Sequence, residues 1–221
     1  MQFHDRIDAG RKLGEALVHL RGRDLLVLGL PRGGVPVAYE VARALDAPLD
    51  VAVARKVGAP GQPELGVGAI SQGVTVIDES SLALLGLRDE DLQPIVEDET
   101  RELHRRLLLY RGSDTLPDVA GRFVVLVDDG LATGVTTRAA SRALRRLGPS
   151  RLLLAVPVGP PETVAALRRE VDELVCLYEP PLFRAVGLWY DDFSQTTDRE
   201  VIELLERRRI ERGGEATQPV G

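Results

Sequence analysis

The chain of 221 residues is poor in several features, and each scarcity excludes a class of protein. It has one cysteine, so it forms no internal disulfide and suits a reducing compartment. No apolar run approaches the roughly 18 residues that a membrane-spanning helix needs. The N-terminal stretch MQFHDRIDAG also lacks the apolar segment of a secretory signal. The sequence therefore predicts a cytoplasmic protein that has no membrane segment.

Positive charge is in deficit as well, with 28 Lys and Arg against 34 Asp and Glu and a net charge of −6. This balance argues against a general affinity for nucleic acid. Aromatic residues make up 4% of the chain, whereas 44% of it is hydrophobic and consists largely of Val, Leu and Ala. Such a composition can bury a sizeable core and is typical of layered α/β proteins.

Apolar runs of strand length alternate along the chain with segments of helical periodicity. Because the inner runs are apolar throughout, they predict a mainly parallel, twisted sheet that helices cover on both faces. The predicted strands are 24–30, 48–56, 122–127, 151–158 and 173–180, with a hairpin that turns at 72–73. The predicted helices are 5–20, 35–45, 79–110 in two pieces, 135–147, one opened by Pro160 and Pro161, and one capped by Thr197 or Asp198.

Ligands of such sheets bind beyond the carboxyl ends of the strands, where we expect the stretches PRGG, RKVG and DDGLATGVTT. In DDGLATGVTT, glycines allow a ligand to approach the backbone, and a helix N-terminus presents unpaired N–H groups. Together with the threonine hydroxyls of this stretch, the glycines and the N–H groups form a phosphate cradle. Asp128 and Asp129 would repel a phosphate unless they face sugar hydroxyls, a metal ion or a developing positive charge. The alternative to a ligand site is a capped turn between strand and helix, which explains one Asp and one Thr but not the whole set.

The stretch VVLVDDGLATGVTT resembles the phosphoribosyl pyrophosphate (PRPP) motif of type I phosphoribosyltransferases. The resemblance implies that Asp128 and Asp129 hold the 2- and 3-hydroxyls of ribose. It implies that the loop 132–136 binds the 5-phosphate, with one further threonine nearby. The residues concerned are Ala132, Thr133, Gly134, Val135, Thr136 and Thr137.

Two basic stretches extend the resemblance. PRGGVP is similar to the pyrophosphate loop, so Arg32, Gly33 and Gly34 are expected to bind pyrophosphate through a guanidinium and backbone N–H groups. Arg55 and Lys56 resemble the Arg-Lys pair that opens a mobile catalytic loop, here 57–66, which would exclude water as a lid. The alternatives are a tight strand-to-helix turn and a basic pair at a strand end.

A late segment, FRAVGLWYDDF, resembles the hood that covers the base in purine-salvage members. Phe183 or Trp189 would then stack on a base, and Asp191 or Asp192 would reach Mg²⁺ together with the Asp128–Asp129 pair. These aromatic residues can equally serve as core anchors. At Ala132 the 6-oxopurine enzymes carry an aspartate that acts near the base, whereas adenine-type members have alanine. An enzyme using this site therefore handles the acceptor's proton in another way.

The resemblance implies a Mg²⁺-dependent transferase of nucleotide salvage that moves ribose 5-phosphate from PRPP to a nitrogen acceptor and releases pyrophosphate. Arg32, Lys56 and the two aspartates would be its catalytic residues. We expect one domain at 1–211, with a core at 24–178, a hood at 179–197 and a disordered tail at 212–221. The expected partners are PRPP and a small nitrogen base, without nucleic acid or membrane; a homodimer is left open. The alternative is a non-catalytic PRPP sensor, since some members of the fold have that character.

Overall fold

The structure is a computed structural model that describes residues 2–114 and 118–213, apart from the side chain of Glu64. Its helices are α1 (Arg6–Leu17), α2 (Gly34–Leu45), α3 (Glu79–Leu85), α4 (Asp89–Arg111), α5 (Val135–Arg146), α6 (Pro161–Leu167) and α7 (Asp198–Glu211). Its strands are β1 (Leu25–Gly29), β2 (Leu49–Val51), β3 (Ala54–Ala59), β4 (Gln62–Ser71), β5 (Val74–Ile77), β6 (Phe123–Val127), β7 (Arg151–Val158) and β8 (Glu173–Tyr178). Short 3₁₀ helices occupy Val18–Leu20 and Val186–Trp189.

Five strands form the central sheet in the order β2-β1-β6-β7-β8, and every pairing is parallel. This arrangement confirms the predicted mainly parallel α/β fold. The neighbours β1 and β6 pair from Leu25 opposite Phe123 to Gly29 opposite Val127. Because the two strands end at the same level, the loops that follow them start side by side.

Helices cover both faces of this sheet because successive residues of a strand point to opposite sides. On one face, Val27 of β1 belongs to a core cluster with Val41 of α2. On the other face, Leu28 of β1 belongs to a cluster with Leu144 of α5. All four side chains are at most 2% exposed, and burying each stabilises the fold by about 1.5–3 kcal/mol. The apolar burial holds the loops at the carboxyl edge on a rigid support.

The predicted strand 48–56 is wrong as a single element. The chain leaves the central sheet after β2, where the Ala52 N–H still donates to Gly29 O at 3.0 Å. It then enters a separate antiparallel sheet of the order β3-β4-β5, where Ala54 pairs with Ser71. The apolar pattern continues across the break without Gly or Pro, so periodicity alone does not mark the change of sheet.

The segment 57–66, predicted as a loop, instead forms most of the β3–β4 hairpin around a turn at Pro60 and Gly61, and its role as a lid stays a prediction. The register shifts on either side of Gly58, which accommodates a Pro-containing partner strand. A Cβ at Gly58 would lie 2.7 Å from the Cα of Pro63, so the two strands require glycine there. The following β4–β5 hairpin turns at 72–73 as predicted.

The N-terminus joins the predicted hood segment, a contact that the sequence prediction did not include. The Phe3 N–H donates to Trp189 O and the Asp191 N–H donates to Phe3 O, both at 2.8 Å. The rings of Phe3 and Tyr190 pack with centroids 5.4 Å apart. The hood is therefore held by the N-terminal residues of the chain.

The last helix, α7, begins after Thr197, whose side chain accepts from the Glu200 N–H, and this confirms the predicted cap. The described chain extends to Gly213, and a guanidinium nitrogen of Arg212 donates to Asp46 O. The rest of the predicted tail, 214–221, lies outside the described residues. None of the helices within 2–114 and 118–213 is long and apolar enough to cross a membrane.

Candidate active site

The loop after β6 carries the carboxylate pair. Oδ1 of Asp128 accepts from the Asp129 N–H at 2.9 Å, and the Thr137 hydroxyl donates to Oδ2 of Asp128 at 3.4 Å. Burial raises the pKa of Asp128 well above the ordinary aspartate value, and the adjacent Asp129 carboxylate raises this pKa further. The site therefore favours a partner that brings positive charge or hydrogen-bond donors to Asp128.

Asp129 has a cationic partner that sequence reasoning missed. Nε of Arg6 donates to Oδ2 of Asp129 at 2.8 Å, and the two side chains are only 12% and 16% exposed. Burial raises the pKa of Asp129, whereas the Arg6 guanidinium opposes this rise. On the other side, the Tyr190 hydroxyl donates to Asp129 O at 2.5 Å. The helix α1 and the hood thus hold Asp129 in place from two directions.

The loop after β1 contains Arg32, Gly33 and Gly34 and lies against the carboxylate pair. A Cβ at Gly33 would lie 2.0 Å from Oδ2 of Asp129, so only glycine fits this approach. The Pro31–Arg32 peptide bond is cis, and Gly34 opens α2. The structure brings the expected pyrophosphate loop and the expected ribose carboxylates into contact.

Arg32 lies near side chains from two helices outside the loop. Its Nη1 lies 4.0 Å from Oδ1 of Asp198, the first residue of α7. The Tyr110 hydroxyl of α4 donates to the same Asp198 oxygen. Burial and the Asp198 carboxylate raise the pKa of Tyr110, so its hydroxyl remains a donor at neutral pH. The guanidinium of Arg32 therefore has a carboxylate nearby and is 30% exposed.

The predicted 5-phosphate loop, 132–136, comprises the end of the connection from β6 and the first two residues of α5. Gly134 is the N-cap of α5 with φ +71°, a left-handed conformation that strains other residues. No side chain caps this helix end, so its first N–H groups and positive dipole end are available to an anion. Ala132 and Thr133 are exposed, and Val135 and Thr136 are half-buried.

Thr137 differs from the other residues of this loop. It is only 1% exposed, and its hydroxyl faces Asp128 instead of the loop surface. Its position suits a role in orienting the carboxylate more than direct contact with phosphate.

The stretch RKVG follows β2 of the central sheet, but it is part of a strand of the second sheet and not a loop at the edge of the first. Arg55 and Lys56 belong to β3 of the antiparallel sheet. Nε of Arg55 donates to Oε2 of Glu99 on α4 at 2.7 Å. Arg55 and Lys56 both line a cavity of about 480 Å³ between the hairpin and α4. A role in catalysis would require the hairpin to present them to the substrate.

The aromatic residues of the hood pack mainly against one another. The rings of Trp189 and Tyr178 have centroids 5.1 Å apart, and Phe183 packs against the cluster that contains Phe3 and Tyr190. Phe193 packs against Tyr190, with ring centroids 5.0 Å apart, and it also stacks on the Arg6 guanidinium, which lies 3.9 Å from its ring centroid. Phe183 and Trp189 are half-buried, so any base stacking would use their remaining exposed faces.

Among the residues that the structure describes, no group of three or more His, Cys, Asp or Glu side chains could hold a metal ion. Asp191 is 58% exposed and lies 3.8 Å from Nδ1 of His4. Mg²⁺ usually binds one or two carboxylates and completes its coordination with substrate oxygens and water. Asp128 and Asp129 fit that requirement without a third protein ligand.

The fold and the site define an α/β protein that presents a carboxylate pair, a glycine-rich basic loop and an uncapped helix N-terminus at one sheet edge. The family model described as the phosphoribosyl transferase domain matches residues 3–180. The chain belongs to this phosphoribosyl transferase family.

Individual relatives agree with this assignment. A Mycobacterium tuberculosis protein provisionally named a phosphoribosyl transferase is 48% identical over 207 residues, which are 93% of this chain and 46% of that protein. The chain thus spans about half the length of this relative. The crystal structure of TT1426 from Thermus thermophilus is 43% identical with a TM-score of 0.77, covering 94% of this chain and 99% of that one. The Bacillus cereus bifunctional protein PyrR is 46% identical over 63 residues, 28% of this chain and 35% of that protein.

Proposed function

We propose that the protein transfers ribose 5-phosphate from PRPP to a nitrogen acceptor, a nucleobase, and releases pyrophosphate. One observation carries the proposal: the loop of Arg32 and Gly33 touches the carboxylate of Asp129 at the edge where α5 presents its free N–H groups. Leaving group, sugar and 5-phosphate then each have a matching surface within one site.

In the proposed reaction the bond from ribose C1 to pyrophosphate loosens first and leaves a cation-like sugar. Asp128 and Asp129 accept hydrogen bonds from the ribose hydroxyls, and their negative charge favours the positive charge that develops at C1. The burial that disfavours the ionised pair in the free protein makes this stabilisation larger, because charges interact more strongly away from water. The 5-phosphate lies on the N–H groups that begin α5.

The departing pyrophosphate meets the N–H groups of Gly33 and Gly34 and the guanidinium of Arg32. Asp198, which accepts from the Tyr110 hydroxyl, places a carboxylate 4.0 Å from that guanidinium. Asp128 and Asp129 would hold Mg²⁺, which supplies charge neutralisation to pyrophosphate when bound. Lys56 and Arg55 also bind the leaving group if the β3–β4 hairpin brings them to it.

The acceptor binds between the 5-phosphate loop and the hood, where Phe183 and Trp189 leave part of their rings exposed. Ala132 offers no carboxylate base, so the acceptor's proton leaves to water or to an oxygen of the departing pyrophosphate. This chemistry suits acceptors whose nitrogen loses its proton late, after the new bond to C1 has begun to form.

The proposal is tested by pyrophosphate release from PRPP with Mg²⁺ and a panel of purines, pyrimidines and simple amines. Release that depends on one acceptor class supports a transferase and identifies the base. Tight PRPP binding with no acceptor-dependent release would favour the alternative, a PRPP-binding regulator. A bound structure with the 5-phosphate away from 132–136 would contradict both.

A further inference from the structure

Arg6 lies where three parts of the site meet, although it comes from α1, a helix outside all of them. Its Nε donates to Asp129 in the loop after β6 at 2.8 Å, and its Nη1 donates to Ser194 O in the hood at 2.7 Å. Its guanidinium also stacks on Phe193 at 3.9 Å. The third part is the loop after β1, because a Cβ at Gly33 would lie 3.0 Å from Nε of Arg6.

The guanidinium of Arg6 has donors that these contacts leave over. Arginine has five N–H donors in a planar fork, and the described residues accept from Nε and Nη1 only. Nη2 has no acceptor in the described part of the chain, and it is not one of the buried unpaired polar atoms there, so solvent reaches it. An anion can therefore reach Nη2 from the solvent without displacing Asp129 or Ser194.

The ion pair with Asp129 does not prevent the Arg6 guanidinium from attracting a second anion. Asp128 and Asp129 together carry up to two negative charges, while Arg32 and Arg6 bring two positive charges to the same sheet edge. A pyrophosphate group adds several negative charges next to Gly33. Because Arg6 is 12% exposed, a contact from it is poorly screened by water. Two guanidiniums at this sheet edge suit a diphosphate better than one.

We propose that Arg6 is a second pyrophosphate-binding residue, which holds Asp129 with Nε while Nη2 donates to an oxygen of the diphosphate. This inference rests on the proposed function, since it needs pyrophosphate at the Gly33–Gly34 loop. Arg6 then links the carboxylate that faces ribose to the group that leaves it. Its contacts with Phe193 and Ser194 make the hood sensitive to whether the diphosphate is bound.

The inference is tested by titration calorimetry with pyrophosphate and Mg²⁺, and separately with adenosine 5-monophosphate. Loss of a charge-assisted hydrogen bond predicts that Arg6→Gln weakens pyrophosphate binding by about tenfold to a hundredfold. Arg6→Lys keeps the charge but not the fork, so it should recover part of the loss. The monophosphate, held at 132–136, should change at least tenfold less than pyrophosphate.

Arg11→Gln is the matched control, because Arg11 is also on α1, pairs with Glu40 at 3.6 Å and is 65% exposed. It should bind both ligands as the wild type does. Equal weakening of both ligands by Arg6→Gln would reduce Arg6 to a structural support and overturn the inference. Unchanged pyrophosphate binding in Arg6→Gln would overturn it as well. If the wild type itself bound no pyrophosphate, the proposed function would fail together with it.

Discussion

Nε of Arg6 and Oδ2 of Asp129 are 2.8 Å apart although 123 positions separate the two residues in the chain. The contact places a cation from the first helix on a carboxylate of the strongest sequence motif. It makes Asp129 a paired and largely buried side chain. The two aspartates therefore differ in what their replacement should do.

Asp128→Asn and Asp129→Asn are expected to separate function from stability. Both should reduce turnover strongly, because each removes charge that faces C1 of ribose. Asp128→Asn should not lower the free energy of unfolding, since burial already disfavours its ionised form. Asp129→Asn should lower it by about 1–3 kcal/mol, less than the 3–5 kcal/mol typical of breaking a fully buried pair. Urea unfolding at pH 7 without Mg²⁺ measures both, and equal losses would contradict the contrast.

Arg32→Ala is expected to lower the turnover rate more than it weakens PRPP binding. A charge-assisted hydrogen bond of about 1.5–3 kcal/mol that strengthens as pyrophosphate leaves is equivalent to roughly tenfold to a hundredfold in rate. Arg43→Ala, which removes a half-exposed arginine of the neighbouring α2, serves as control. Steady-state pyrophosphate release gives the rates. Turnover that Arg32→Ala does not slow would remove this loop from the leaving-group site.

Gly134→Ala is expected to impair the 5-phosphate loop beyond the cost of backbone strain. Gly134 has φ +71°, and a Cβ there would lie 2.7 Å from Cγ2 of Thr163. Gly148 has φ +69° with nothing within 4 Å of such a Cβ, so Gly148→Ala carries the strain alone. We expect about 1–2 kcal/mol of destabilisation from Gly148→Ala, and a larger loss with weaker nucleoside monophosphate binding from Gly134→Ala. Identical behaviour of the two variants would show that the contact with Thr163 has no effect.

Cys176 is expected to react slowly with thiol reagents in the folded protein. Burial raises the pKa of its thiol to about 11, and its Sγ donates to Tyr178 O at 3.2 Å. Because the thiolate is the reactive form, alkylation should rise about tenfold per pH unit from pH 7 to 9.5. In denaturant the rise should level off near pH 8.5–9, about the pKa of a free cysteine. A rate that levels off there in the folded protein would contradict the raised pKa.

Much of the sheet was predictable because its inner strands are buried on both faces and read as continuous apolar runs. The limits of β7 agree with the predicted 151–158, and the cap at Thr197 was recognisable from the hydroxyl before the helix. The hairpin of β3 and β4 was missed because Gly58, Pro60 and Pro63 are typical of loops. Register shifts accommodate them in the structure, and such shifts depend on the partner strand.

The local sequence determined the features that depend on neighbours along the chain. These are the strand that ends at Val127, the carboxylates that follow it, the positive φ at Gly134 and the start of α5. Tertiary structure alone decided the pairing of Arg6 with Asp129, the approach of Asp198 to Arg32, and the burial of Thr137. The physical reason is that an ion pair or hydrogen bond depends on distance in space, and the parallel sheet brings together loops that the chain keeps far apart.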